Sequence, residues 1–332
     1  MGRNVTDVAL LLNVLAGYDS HDVITQSIET AGVTGVDYTK NLKSGDLKGK
    51  RIGLVGIPDE DNAAYMPFQQ ALEALKEAGA EIITKADGTA LTYYNPEDPD
   101  VNPRPPSSIV FDYDFAKDLP AYLATLDENY PIKTLQHIVD FNNEYMKTDS
   151  SAFPFGQAIL IRCAELDLEE QRALYLSDRE KDIVYARTHG IDYLLNTYTL
   201  DCLVSTSRTG STTLIGAKAG YPTVSIPLSN PGGTTNPINM HFTGTAFSEA
   251  QLIEFAYVVE QATDFRIAPG LAEKSSLGAV ISAVQELQDE TQTLLQDIYN
   301  STLDVYHNNF ATQMEVDKAK DELQSAMLKS LR

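Results

Sequence analysis

The residues from Tyr198 to Pro269 alternate short apolar runs with clusters of turn-forming residues. This alternation predicts strands and helices joined by short loops, the pattern of an α/β sheet with flanking helices. Residues 201–205 are typical of a short buried strand. Apolar and polar residues alternate over 238–243, which predicts a strand with one buried face. This stretch limits the chain to an α/β fold.

The segment 207–220, between two predicted strands, is rich in Gly, Ser, Thr and Ala. Small side chains allow a backbone to approach a neighbouring element or a ligand closely. Loops that follow strands in α/β sheets also form clefts. We therefore expect a binding site at the end of the 201–205 strand.

The charge of the chain restricts its partners. Its 332 residues suffice for about two domains. The 47 acidic and 25 basic side chains give a net charge of −22. A polyanion repels nucleic-acid phosphates and anionic membrane surfaces, so the sequence argues against nucleic acid as a partner. Otherwise the charge indicates only an acidic, solvated surface.

No run of about 18 apolar residues occurs, so no membrane span is predicted. Near the amino terminus Arg3 precedes an apolar stretch, as in a signal peptide, but the spacing favours an amphipathic helix. Asn4 or Thr6 is its expected cap, and Gly17 its expected end. The predicted buried side consists of Val5, Val8, Leu11, Leu12 and Leu15.

Residues 46–83 predict a strand, a helix and a second strand, with Gly79 just past the helix end. The run Gly53 to Gly56 lacks the spacing of a dinucleotide-binding loop, and acidic residues follow it. Further helices are predicted over 108–126, with an interruption at Pro120, and over 131–145.

Three sequences have the pattern of a capping box, in which a Ser or Thr and a Glu or Gln three residues later satisfy the first amides of a helix. They are Ser177 to Glu180, Ser248 to Gln251 and Thr312 to Glu315. After Pro269, apolar residues recur at spacings of three and four in three segments, which predicts a small three-helix bundle.

Three sequences carry a resemblance to a known family. AGYPTVSIPLS, INMHFTGTAFSEAQLIEFAYVVEQAT and the closing Arg266 to Pro269 resemble the C-terminal part of amidase-signature enzymes, which hydrolyse carboxamide C–N bonds. The SRTGS loop is most similar to the peptide-amidase-like branch. The resemblance implies an α/β mixed-sheet fold flanked by helices over residues 1–270, followed by the helical bundle over 271–332.

The start of the chain bears on catalysis. GRNVTDVALLLNVLAGYDSHD resembles the helix that follows the catalytic signature in this family. Amidase-signature enzymes use a Ser, cis-Ser, Lys triad that lies upstream of that helix. The resemblance therefore implies that no residue of this chain is catalytic, that the chain alone is inactive, and that an N-terminal segment is missing. It also implies a small-molecule or peptide amide substrate, and no metal or organic cofactor.

The resemblance also suggests residues that bind substrate. In the peptide-amidase-like branch, segments similar to 108–126 cover the substrate cleft, and the loop after the 201–205 strand borders it. Ordinary helix packing is the alternative for the residues of 108–126, and a surface salt bridge is the alternative for Arg208. The candidates are Phe111, Asp112, Phe115, Thr206, Ser207, Arg208, Thr209 and Gly210.

Other catalysts have weaker support. Ser205, Ser207 and Ser211 lie near Lys218 in sequence, but a loop rich in serine makes such proximity common. No nucleophile-elbow motif accompanies His241, which we interpret as a structural or surface histidine. The five histidines lack metal-binding spacings, so a metal site is not expected. Cys163 and Cys202 are expected to be core thiols, with a disulfide left open.

The ending ATQMEVDKAKDELQSAMLKSL resembles FIVAR modules of surface proteins from Gram-positive bacteria. This resemblance implies an extracellular or cell-wall location, with a cytoplasmic one as the alternative. Two other functions are alternatives to an amidohydrolase. One is a non-enzymatic surface protein or amidase remnant with a binding or spacer role. The other is a solute-binding protein with two lobes, for which the sequence offers no hinge.

Overall fold

The computed structural model describes residues 1–42, 45–149, 153–206, 212–229, 238–263, 265–266, 274–287, 289–308 and 311–330. The chain divides into two units, Met1–Arg266 and Ile267–Arg332. The sequence-based boundary at residue 270 lies outside the described residues and stays a prediction.

In the first unit, helices and strands follow one another along most of the chain. The helices are α1 (Val5–Leu15), α2 (Gln26–Thr30), α3 (Tyr65–Glu77), α4 (Val110–Leu123), α5 (Leu135–Met146), α6 (Ala158–Ala164), α7 (Arg172–Ile183), α8 (Asp192–Tyr198), α9 (Thr212–Ala219) and α10 (Glu249–Ala262). A 3-10 turn, Val23–Thr25, precedes α2, and a π-helical segment, Val184–Ile191, joins α7 to α8. The strands are β1 (Arg51–Leu54), β2 (Glu81–Ile83), β3 (Cys202–Thr206), β4 (Thr223–Ser229) and β5 (Ile238–Thr243).

The described strands form one mixed sheet of order β2-β1-β3-β5-β4. β1 is parallel to both β2 and β3, whereas β5 runs antiparallel to β3 and β4. The predicted strand–helix–strand unit of residues 46–83 is confirmed as β1, α3 and β2. Gly79 follows α3 at φ +100°, a backbone conformation that residues with a side chain rarely adopt, so glycine is needed at this turn.

Helices cover both faces of the sheet. On one face, α1, α3 and α10 pack on the strands through a large cluster of buried side chains, among them Phe68, Phe242 and Phe255. On the other face, Leu203 of β3 packs with Ile215 of α9 and with residues around α8. β5 was predicted to bury one face, but His241 and Thr243 are buried as well, because α9 lies over that side.

The helices α4, α5 and α6 form a smaller cluster around Ala116, Leu135 and Cys163. Cys163 and Cys202 are both free and buried, in different clusters, so they are core thiols here. Burial raises the pKa of the Cys202 thiol, which keeps it protonated.

Two predicted capping boxes are wrong. α7 already runs from Arg172, so Ser177 lies inside a helix rather than at its start. Ser248 is the N-cap of α10, but its hydroxyl donates to the Thr245 carbonyl at 2.7 Å instead of accepting from the helix. Gln251 reaches Asp201 instead of the cap, at 2.9 Å.

The first helix is confirmed, but its predicted buried side is partly wrong. Asn4 caps α1 by accepting from the Asp7 amide at 2.7 Å. Val5 and Ala9 are buried, whereas Leu11 and Leu15 are exposed. Helical periodicity therefore located the helix but assigned too much of its surface to the core.

The second unit contains the predicted three helices, α11 (Ser275–Gln285), α12 (Asp289–His307) and α13 (Gln313–Ser330). They enclose their own core, which includes Leu277, Leu295 and Leu323. The capping box at Thr312 is confirmed: its amide donates to Glu315 Oε2 at 2.7 Å, and the Glu315 amide donates back to its hydroxyl at 3.2 Å. Of the helices described in either unit, none is long and apolar enough to cross a membrane.

Candidate functional site

The strand β3 ends at Thr206, the first of the loop residues predicted to border the substrate cleft. Thr206 is 1% exposed and lies opposite Met240 of β5. The other predicted loop residues, Ser207, Arg208, Thr209 and Gly210, lie outside the described residues, so their role stays a prediction. The chain resumes at Thr212, where α9 begins.

A buried hydrogen bond joins the end of β3 to the start of α9. The hydroxyls of Ser205 and Thr212 lie 2.6 Å apart, and both side chains are fully buried. Lys218, in the last turn of α9, forms its ion pair with Asp182 of α7. Ser205 and Lys218 therefore have other partners and are not joined as a nucleophile and its base. Ser207 and Ser211 lie outside the described residues.

Polar side chains form a line across the sheet on the side covered by α9. In the strand register, His241 of β5 lies between Ser205 of β3 and Ser225 of β4. His241 is 6% exposed, and burial lowers its pKa because the charged ring would lose hydration. Its Nδ1 finds no hydrogen-bond partner among the described residues. His241 is thus a buried neutral histidine and not a surface one.

Two carboxylates of α7 hold the start of α4. Asp178 accepts from the Ile109 amide at 3.1 Å, and Asp182 accepts from the Ser108 hydroxyl at 2.7 Å. Hydrogen bonds, the largest from Lys181, lower the pKa of Asp178, so that it stays ionised. Ile109, the N-cap of α4, makes no side-chain cap. Instead the Ser108 hydroxyl accepts from the Val110 amide at 3.2 Å, and Asp182 holds that hydroxyl in place. Asp182 also pairs with Lys218, which ties α4, α7 and α9 together.

These three helices enclose a groove of 650 Å³, here called the α4–α9 groove. Its apolar wall consists mainly of Val110, Phe111, Ile183, Leu214 and Ala217. Its polar side chains are Ser108, Arg179, Asp182, Arg187 and Lys218. Ligand sites are concave and mostly apolar, with a few fixed polar groups, and this groove has that composition.

Two contacts hold the cationic side chain of Arg187 in this groove. Its Nε donates to the Ala219 carbonyl at the end of α9, at 2.7 Å, and its guanidinium carbon lies 5.0 Å from the centre of the Tyr221 ring. It belongs to the π-helical segment Val184–Ile191. Such segments are rare and occur frequently at functional sites. The guanidinium is therefore fixed in place before any ligand binds.

Of the candidates on α4, one lines this groove. Phe111 is 64% exposed at the groove and stacks with Phe115 at a ring-centre distance of 6.0 Å. Phe115 itself packs against the α4–α6 cluster. Asp112 is paired with Arg162, at 2.5 and 2.9 Å, and hydrogen bonding to that guanidinium lowers the pKa of the carboxyl group. The role of Phe111, Asp112 and Phe115 in substrate binding stays a prediction.

Asp182 and Arg187 line the groove but were not among the residues predicted from the sequence. Asp182 lies 74 residues from its partner Ser108, and Arg187 lies 32 residues from Ala219. Neither pairing has a local motif. The sequence contains one relevant signal: Asp178 and Asp182 are four residues apart and therefore lie on one face of a helix. In the structure both side chains are buried.

A second cavity, of 520 Å³, lies where α1, β4 and α10 meet. There Glu260 accepts two bonds from the Val5 amide, at 2.9 and 3.0 Å. Burial raises the pKa of Glu260. The carboxylate is used to hold the start of α1, so this cavity is a weaker candidate than the α4–α9 groove.

A metal centre is not formed by the part of the chain that the structure describes. Within it, no group of three or more His, Cys, Asp and Glu side chains is placed to hold a metal ion.

No protein-family model matches the chain, but individual proteins do. A putative amidase of Arthroderma benhamiae is 29% identical over 291 residues, which cover 80% of this chain and 46% of that protein. A probable amidase of Arabidopsis thaliana is 27% identical over 267 residues, which cover 80% and 48%. The chain thus spans about half the length of these curated relatives.

The native peptide amidase of Stenotrophomonas maltophilia superposes with a TM-score of 0.66 at 29% identity, over 81% of this chain and 54% of that one. The chain is related to the amidase-signature enzymes. An amidase family protein from Bacillus anthracis agrees, with a TM-score of 0.63 at 25% identity over 82% and 49%. The amidase-signature resemblance and its mixed α/β fold are confirmed. The missing catalytic signature and the FIVAR-like tail stay predictions.

Proposed function

We propose that this chain is the substrate-binding part of an amidohydrolase that acts on carboxamides, with peptide C-terminal amides as the substrate class. The observation that carries the proposal is the structural match to a peptide amidase over 81% of the chain, at a TM-score of 0.66. The α4–α9 groove supports it by offering a concave, largely apolar surface with fixed polar groups.

Amide hydrolysis needs an activated nucleophile, a group that moves its proton and donors for the oxyanion. Ser205 and Lys218, the described pair nearest to this chemistry, are bonded to Thr212 and Asp182. In this proposal the Ser, cis-Ser and Lys of the reaction belong to residues outside this sequence, as the family resemblance implies. The relatives, about twice as long, support that assignment.

In this proposal the described residues position the substrate. Phe111 and Leu214 contact its apolar part, because both are large, apolar and exposed at the groove. Asp182 keeps the α4 and α9 walls together through Ser108 and Lys218. Thr206 and the residues that follow it border the cleft at the end of β3, as the resemblance implies.

The test is ammonia release from N-acetyl-phenylalanine amide by the purified 332-residue chain. We expect no release above the rate in buffer. Ser205→Ala and Lys218→Ala variants are assayed in parallel. Release that either substitution abolishes would show that the chain has its own catalytic serine or lysine, and would overturn the assignment of the triad to other residues.

A further inference from the structure

The α4–α9 groove is cationic although the protein is strongly acidic. Arg179, Arg187 and Lys218 line it with a single carboxylate, Asp182, in a chain of net charge −22. Asp182 is already bonded to Lys218 and to the Ser108 hydroxyl. The two arginines therefore carry positive charge that this carboxylate does not neutralise.

Arg187 is held by groups that leave its charge available. Its Nε donates to the Ala219 carbonyl and its guanidinium carbon lies over the Tyr221 ring. The Tyr221 hydroxyl donates to Asp192 at 3.0 Å, so the nearby carboxylate is bonded to the tyrosine and not to the guanidinium. Within the described part of the chain, Arg187 forms no ion pair with Asp or Glu. A guanidinium presents several N–H donors in a fixed fork that matches the two oxygens of a carboxylate. Because the side chain is already oriented, binding would cost little ordering.

The wall beside this cation is apolar and open. Phe111 is 64% exposed and Leu214 is 45% exposed, and both line the same groove as Arg187. A ligand that fits must therefore present an apolar group next to an anionic one. A purely apolar ligand would leave the cation unused, and a simple anion would leave the apolar wall in water.

We propose that the α4–α9 groove binds a carboxylate carried beside an apolar side chain, with Arg187 pairing the carboxylate and Phe111 and Leu214 contacting the apolar group. This inference rests on the proposed function, since it takes the groove as the substrate site, and it narrows the substrate class to peptides with an anionic group next to an apolar residue. Binding can nevertheless be measured in a chain that hydrolyses nothing.

The experiment compares two probes by titration calorimetry on the full 332-residue chain. N-acetyl-glutamyl-phenylalanine amide carries the carboxylate next to the apolar residue and keeps the C-terminal amide, and N-acetyl-glutaminyl-phenylalanine amide is its neutral match. We expect the wild-type chain to bind the glutamyl probe about tenfold more tightly than the glutaminyl probe, or more, because bonds to charged groups are stronger than neutral ones. Arg187→Gln should remove this preference, while Arg172→Gln, an equal charge change outside the groove, should preserve it.

A second pair of variants leaves Arg187 unchanged, so its result does not depend on whether the Arg187→Gln variant folds. Leu214→Asp adds a carboxylate at an exposed wall position, and Leu214→Asn is its neutral match. The Asp variant should weaken binding of the carboxylate probe several-fold more than the Asn variant does. The neutral glutaminyl probe should respond to the two variants alike.

The proposal is overturned if the wild-type chain shows no preference for the carboxylate, if the preference survives Arg187→Gln in a folded protein, or if the two Leu214 variants behave alike towards the carboxylate probe. These outcomes leave the amidohydrolase proposal standing, because ammonia release tests that separately. Equally, an absence of hydrolysis would not affect the binding result.

Discussion

At the scale of single residues, Asp182 joins three helices through one carboxylate. It accepts from Ser108 ahead of α4 and pairs with Lys218 of α9, and its side chain is 7% exposed. Removing one partner of a shielded ion pair leaves the other charge uncompensated. The geometry of the α4–α9 groove therefore depends on this residue more than on any local helix signal.

We predict that Asp182→Asn lowers the free energy of unfolding by about 2 kcal/mol, because Lys218 loses its counter-charge in a site with little water. Urea denaturation measures the change. Asp118→Asn, at an exposed pair with Lys117, is the control and should change the free energy by about 0.5 kcal/mol or less. Equal effects of the two substitutions would contradict the structural role of Asp182.

His241 supplies a second prediction, for the pH dependence of stability. Burial lowers its pKa below the ordinary value of 6.5, so the unfolded chain takes up this proton at a higher pH than the folded chain. Its contribution to stability is complete above about pH 6.5 and is lost as the pH falls below that value, by at most about 1.4 kcal/mol per pH unit.

The measurement compares the free energy of unfolding of wild type and His241→Gln between about pH 7.5 and pH 5.5. Other groups titrate in both proteins, so the difference between the two curves isolates His241. We expect wild type to lose more stability than the variant on acidification. Parallel curves would show that His241 is not buried in its neutral form.

At the scale of elements, α9 lies close to the sheet because it has glycine at its contact point. A Cβ at Gly216 would lie 2.9 Å from the Thr223 hydroxyl and 3.5 Å from the Thr243 methyl group. Those two threonines bond to each other at 2.9 Å, so the hydroxyl is not free to turn away without loss. The small residues that the sequence analysis singled out thus allow close helix–sheet packing.

We predict that Gly216→Val destabilises the protein by about 2 kcal/mol or more, because the added atoms overlap the threonine pair. Ala217→Val, on the exposed side of the same helix, should cost only the weaker helix propensity of valine, about 0.5 kcal/mol. Thermal and urea denaturation report both. A Gly216 variant as stable as the Ala217 variant would mean that α9 lies farther from the sheet.

The starts of the helices show which capping signals can be read from the sequence. Thr312 and Glu315 form their capping box with bonds in both directions. The Ser248 box fails because Gln251 is drawn to Asp201, fifty residues away in the chain. Periodicity also found α1 but misjudged Leu15, since the extent of a buried face depends on what packs against it. The sequence predicted Phe111 as a candidate binding residue. Asp182 and Arg187 were not predicted, because they acquire their partners only through tertiary contacts.

At the scale of the whole molecule, the two units have separate hydrophobic cores. The first unit carries the amidase-signature fold, and the second is a three-helix bundle whose FIVAR-like character and implied extracellular location remain predictions. Separate cores allow separate unfolding transitions.

We predict that Leu323→Ala lowers the stability of the bundle by about 3 kcal/mol and leaves the first unit unchanged, since Leu323 is fully buried in the bundle core. Hydrogen exchange, read separately for the two units, measures this. Leu328→Ala, at a 52% exposed position, serves as the control. Loss of protection in both units would show that they unfold as one.

The central claim is that this chain binds substrate for an amidohydrolase whose catalytic groups lie elsewhere. The most direct test is to translate the DNA upstream of the Met1 codon, express the chain with any in-frame extension, and measure ammonia release from peptide amides. An extension with a Gly/Ser-rich signature and an earlier lysine should release ammonia, and replacing its serine should stop the release, while the 332-residue chain stays inactive. An extended chain that has this signature and folds but releases no ammonia from any peptide amide would contradict the claim.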